Sequence, residues 1–183
     1  MKEQLIADIK TTLSKNKVDA LAQIAVRQAN AVKDIIDLTF HTEEKIAFRA
    51  AWILENVYTN APSNFAPAVT YFLDKFSSQN NLSARRHYGK ILALLTKKNA
   101  PQEIKKALSE YDTEELVETT FAWLIDDDVP VAIKSHCLNI LANFSVKHPW
   151  IKDELLQTMD YLVDKESIAF FAKVKQIRKQ LKV

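Results

Sequence analysis

The sequence predicts an all-α chain: a right-handed α-α superhelix of about four helix pairs, with an extra helix at each end. Three observations carry this expectation. The 183 residues include a single glycine, Gly89, which leaves almost nothing for the positive-φ turns of β-hairpins. The five prolines, at 62, 67, 101, 130 and 149, each stand just ahead of an apolar stretch with helical spacing, where a first-turn proline is tolerated. Finally, "IAFRAAWIL" at 46–54, "ARRHYGKIL" at 84–92 and "IKSHCLNIL" at 133–141 share one frame at offsets of 38 and then 49 residues. Periods of roughly 40 to 47 residues mark helix-pair repeats, in which each unit hides its apolar face only by stacking on its neighbours.

The elements follow in order. A leading helix is expected near 2–14, then pairs at 18–28 with 31–40, 44–58 with 64–77, 82–98 with 113–125, and 129–146 with 150–163, and a last helix near 166–182. Thr42, ahead of Glu43 and Glu44, suits the start of the 44–58 helix. Asp112 and Glu115 have capping-box spacing ahead of "FAWLI". Asp126, Asp127 and Asp128 precede Val129 and Pro130 and read as the cap and first-turn charge of the next helix. Consecutive acids rarely converge on one ion, so a metal site is not expected there.

The frame ends each time in Ile-Leu, followed three residues later by Val57, Leu95 or Phe144. It resembles HEAT and armadillo repeats, whose helices often carry a basic residue after the first apolar one. Arg85 and Lys134 fit that position, whereas Ala47 departs from it, with Arg49 two places on. The stretches "FRAAWILENV", "FAWLIDDDVPVAIKSHCLNIL" and "KESIAFFAKVKQIRKQL" are also similar to a small family of bacterial proteins, chiefly from Bacteroidetes. Some of its members are labelled adenylosuccinate lyase. That activity is not expected here, because the Gly-Ser-Ser-x-Met-Pro-x-Lys-x-Asn loop of the lyase superfamily is missing. The resemblance implies one HEAT-like domain over residues 1–183, with the second helix of each pair lining a concave, partner-binding face.

Composition narrows the function. Apolar residues make up 48% and charged ones 26%, the balance of a folded chain. A net charge of +2 is too small to name a partner. GxGxxG and P-loop motifs are absent, so Rossmann and P-loop chemistry is set aside and no cofactor is expected. Glu3 and Asp8 interrupt the N-terminal apolar pattern of a signal peptide, and runs such as "ILALL" fall far short of the roughly 20 residues that span a bilayer. A cytoplasmic location is the expectation.

His136 and Cys137 are the one adjacent Cys-His pair. Helix neighbours point about 100° apart and cannot share an ion, and Cys137 falls on the apolar stripe of Ile133, Ile140, Leu141 and Phe144. In the frame it coincides with Ala50 and Tyr88, which makes it a packing position. His136 coincides with Arg49 and His87, a row that either ladders across repeats or lines a binding surface.

Charge is also segregated. From Arg85 to Lys106 there are seven basic residues against Glu103, and from Ala107 to Ile133 eight acids and no Lys or Arg. The blocks either pair with each other or steer a partner. The candidate partner-binding residues are therefore Arg85, Arg86, Lys90, Arg49, His87 and His136. The function expected is a non-catalytic protein-interaction scaffold. The alternative is a nucleic-acid-binding or DNA-glycosylase-like protein, which would need Trp and carboxylate side chains in a basic channel; Trp52, Trp123 and Trp150 instead sit in apolar contexts that favour packing. A third possibility is an oligomer formed through an apolar end repeat.

Overall fold

The computed structural model describes residues 2–11, 13–28 and 30–182. Every regular element among them is helical: α1 (Lys2–Lys10), α2 (Lys15–Ala25), α3 (Ala31–Leu38), α4 (Glu44–Asn60), α5 (Pro62–Phe65), a 3-10 turn (Ala66–Ala68), α6 (Val69–Phe76), α7 (Leu82–Leu95), α8 (Gln102–Glu110), α9 (Glu114–Ile125), α10 (Val131–Phe144), α11 (Trp150–Val163) and α12 (Ile168–Leu181).

Local chemistry sets the boundaries. Ser14 starts α2 by accepting the Lys17 N–H at 3.3 Å, satisfying one of the four orphan donors of a helix start. Asn30 takes the left-handed conformation before α3, with φ 65°, a role open to Asn because its short polar side chain tolerates that region. Gly89, by contrast, lies buried inside α7. At α7, Asn81 Oδ1 accepts the Ala84 N–H at 2.9 Å. Pro62 is the first residue of α5, and Pro101, Pro130 and Pro149 immediately precede α8, α10 and α11, as the proline spacing predicts.

Several expectations are corrected. The helix expected over 64–77 is broken into α5, the 3-10 turn and α6, because Pro67 has no N–H to give. The pairing scheme omits α8, although Pro101 marks it. The apolar stripe of α8 is thin: Ile104 is its buried residue, with Ala107 and Leu108 only half-buried. Both expected caps, Thr42 and Asp112, are displaced by one residue. Glu43 precedes α4 without a side-chain cap bond, and His41 Nδ1 accepts its N–H at 3.0 Å. Thr113 precedes α9, its hydroxyl 2.9 Å from His148 Nε2, while Asp112 accepts the Glu114 N–H at 3.0 Å. Asp126 closes a turn after α9 by accepting the Asp128 N–H at 2.9 Å, and α10 begins only at Val131.

The chain divides into two compact units, an N-terminal one of Met1–Ile91 with Pro101–Tyr111 and a C-terminal one of Leu92–Ala100 with Asp112–Val183. In the N-terminal unit α4 packs on α1, α2 and α3, and α3 packs on α6. Its core is aromatic. Tyr58, Phe65, Phe72, Phe76 and Tyr88 follow one another with ring centroids 4.7–6.3 Å apart, mostly in the tilted or edge-on arrangements that ring quadrupoles favour. The Tyr88 hydroxyl lies 2.7 Å from Thr39 Oγ1, and the Gln79 amide donates to Thr39 O and Oγ1 at 3.3 Å. Burial raises the Tyr88 pKa against the opposing pull of these bonds.

In the C-terminal unit α10 packs on α9, α11 and α12. Contacts between helices two apart in sequence, α2 with α4 and α10 with α12, are what stacked hairpins produce. α10 packs on α11, as the expected pairing has it, and it also packs on α9, just as α3 packs on α4. The frame picks out helices with an extensive buried face. Ala50, Tyr88 and Cys137, aligned by the frame, are all fully buried, as are Leu54, Leu92 and Leu141.

A polar cleft on the α2, α4 and α7 face

Within the N-terminal unit, a carboxylate links α4 to α7. Glu55 places Oε2 2.6 Å from His87 Nδ1 and accepts from Lys90 Nζ at 2.5 Å through Oε1. His87 and Lys90 stand three apart, so both reach the same neighbour from one face of α7. Burial by itself pushes the Glu55 pKa up. The hydrogen bonds and charges of His87 and Lys90 outweigh it, leaving the carboxyl below its ordinary value. His87 is buried, with its ring centroid 5.5 Å from that of Phe48.

Beside this link lies a cleft of about 400 Å3. Lys15 and Asp19 of α2, Trp52, Asn56 and Asn60 of α4, and Lys90 of α7 line it. Trp52, Asn56 and Asn60 recur every four residues and form one stripe along α4. The Asn56 amide donates to Trp52 O at 3.2 Å and the Asn60 amide to Asn56 Oδ1 at 3.5 Å. Trp52 is half-buried and stacks on Phe48, with centroids 6.2 Å apart.

The structure gives the sequence-selected residues different surroundings. Arg49 points Nη1 at Ile9 O, Lys10 O and Thr11 O, at 2.7, 3.1 and 2.9 Å. A cation at the carbonyl end of α1 satisfies orphan acceptors and complements the helix dipole. Arg85 donates from Nε to Gln79 O at 2.6 Å and from Nη2 to Asn80 Oδ1 at 3.4 Å. Arg86 is exposed, one turn before the half-buried Lys90. His136 is half-buried on α10, in the C-terminal unit. Lys134, the frame partner of Arg85, is 1% exposed and ion-paired with Glu166.

Trp123 is buried, as expected, but Trp150 is 56% exposed, which corrects the packing expectation. Ile151 takes the core-facing position in the first turn of α11, and Trp150 stacks on Phe121 instead. All eight acids of 107–133 are exposed, and among the described residues none forms an ion pair with Lys or Arg. No group of three or more His, Cys, Asp or Glu among the described residues is placed to hold a metal ion. No helix among them is long and apolar enough to cross a membrane. A second, apolar cleft of about 260 Å3 lies among α1, α2 and α3, lined by Leu5, Leu21, Ile24 and Ile35.

The sequence reading missed Glu55, Asn56 and Asn60. Their signal was the polar stripe opposite the apolar frame in "WILENVYTN", legible only once the helix face toward α7 is known. A family model described as a HEAT repeat domain matches residues 5–181. No curated protein and no solved structure matches the chain.

Proposed function

We propose, from the premise that this chain belongs to the HEAT repeat domain family, that it is a non-catalytic protein-interaction scaffold. On this reading it takes an extended segment of a partner protein on the α2–α4–α7 face. The supporting observation is the stripe of Trp52, Asn56 and Asn60 along a polar cleft. An Asn amide offers both donors and an acceptor, the complement of a peptide group. Residues four apart on a helix rise about 6 Å, close to the roughly 6.6 Å advance of two residues in an extended strand. Successive amides can therefore meet alternate residues of a bound segment. Trp52 supplies a flat apolar surface between them.

Arg86 and Lys90 provide the cationic edge of this face, while Arg49, Arg85 and His87 hold its helices in place. Asp19 and Glu55 within the same cleft weigh against a phosphate backbone as the occupant, since each would repel it. The test is site-specific photocrosslinking in cells with p-benzoylphenylalanine at Thr59, an exposed lining residue, and at Lys45, exposed near the start of α4. A protein adduct from Thr59 alone, lost on Asn56→Ala with Asn60→Ala, is expected. Identical adducts at both positions, or none at Thr59, would remove the reading.

A further inference from the structure

The C-terminal unit carries a second surface of different chemistry. Phe121 of α9 and Trp150 of α11 stack with ring centroids 6.3 Å apart and planes 23° from parallel. Phe121 is half-buried, but Trp150 leaves 56% of its surface in solvent. On α9 the exposed stripe beside Phe121 is Glu114, Glu118 and Ile125, the last 54% exposed. These positions fall within about 60° of Phe121 on the helix at 100° per residue. On α11 the residues one turn from Trp150 are Asp153 and Glu154, both exposed. The result is an aromatic ledge walled by carboxylates from two helices, and among the described residues none of Glu114, Glu118, Asp153 and Glu154 forms an ion pair. The nearest cations in sequence are the exposed Lys147 and the half-buried Lys152.

The geometry points to a docking site for an arginine-bearing basic segment of another protein, seated on the Phe121–Trp150 ledge. Charge complementarity selects a cationic occupant, because among the described residues the surrounding acids form no ion pair and the 107–133 stretch contributes no Lys or Arg. The aromatic pair selects arginine over lysine. A planar guanidinium stacks on the open face of an indole while its edge bonds to flanking carboxylates, whereas an ammonium is a hydrated point charge. A uniformly charged acidic face would attract any polycation; an exposed tryptophan held flat by a second ring adds a preference for shape. This surface lies on α9 and α11 and is independent of the α2–α4–α7 cleft.

The experiment uses the full chain and two fluorescein-labelled octapeptides, alternating Arg-Ser and alternating Lys-Ser, followed by fluorescence anisotropy at about 0.15 M salt, where unselective surface attraction is largely screened. The Arg peptide should bind more tightly than the Lys peptide, and Trp150→Ala should weaken it about ten-fold or more. Glu114→Gln with Glu118→Gln should weaken both peptides and flatten the salt dependence. Trp150 is exposed, so an unchanged Tm is expected for Trp150→Ala and confirms that the variant is folded. Equal binding of the two peptides, or affinity for the Arg peptide unaffected by Trp150→Ala, would overturn the assignment. So would a self-associating chain whose dimer, seen by sedimentation, is abolished by Trp150→Ala.

Discussion

Lys134 is 1% exposed, its ammonium bonded to Glu166 in the turn before α12, and Glu166 is 18% exposed. Removing either partner should have unequal effects. Glu166→Ala leaves a buried ammonium without its counter-charge, a loss of roughly 3 to 5 kcal/mol when a buried pair is broken. The partial exposure of Glu166 lets water approach its vacated place, so the low end, about 3 kcal/mol, is expected. Lys134→Met keeps most of the apolar stem in place and leaves a carboxylate that can turn toward solvent. Replacing the pair by packed apolar groups is often neutral, or stabilising by about 1 to 4 kcal/mol. The double variant should therefore recover most of what Glu166→Ala loses. Urea unfolding followed by circular dichroism at about 222 nm, with the denaturant slope compared across all four proteins, reads these differences. A double variant as unstable as the sum of its two parents would refute the view that burial of an unpaired charge causes the loss.

Three further outcomes follow from the same structure. Leu92→Ala, at a fully buried frame position, should cost about 2 to 5 kcal/mol in the same assay; a near-neutral result would contradict the frame alignment. The Cys137 thiol is fully buried and should react with Ellman's reagent only as fast as the chain opens, so rapid stoichiometric reaction of the native protein would disprove its packing role. Glu55 has a folded-state pKa below the ordinary 4.5, so the unfolded chain binds more protons between the two values and stability rises with pH there. The advantage of wild type over Glu55→Gln should be full above 4.5 and shrink as pH falls through the depressed value. A difference that stays constant from about pH 7 to pH 3 would contradict that linkage.

How much was legible in the sequence depended on what each residue faces. Apolar periodicity and prolines act locally, so Pro62, Pro101, Pro130 and Pro149 marked helix starts, and the Ile-Leu frame predicted the burial of Ala50, Tyr88 and Cys137. Charged side chains were harder, because their role depends on a neighbour distant in sequence. Lys90 is engaged by Glu55, 35 residues away, and Arg49 by the end of α1, up to 40 residues away. Neither partner has a motif that sequence alone could match to it. Trp150 illustrates the opposite failure. An aromatic in a helical apolar pattern was expected to pack inward, yet the first turn of α11 turns Ile151 to the core and leaves the indole outside. The polar stripe of Trp52, Asn56 and Asn60 carries no apolar periodicity, and its role depends on Lys15 and Asp19 of α2 and Lys90 of α7, which are distant in sequence.

The most direct test of the proposed scaffold role is isothermal titration of the partner segment captured through Thr59. Wild type would be compared with the Asn56→Ala, Asn60→Ala double variant. Loss of two backbone-directed amides should weaken binding by about ten-fold or more, with Tm unchanged because both residues lie on the cleft side of α4 and neither is buried. Equal affinity of the two proteins for that segment would contradict recognition by the α2–α4–α7 face.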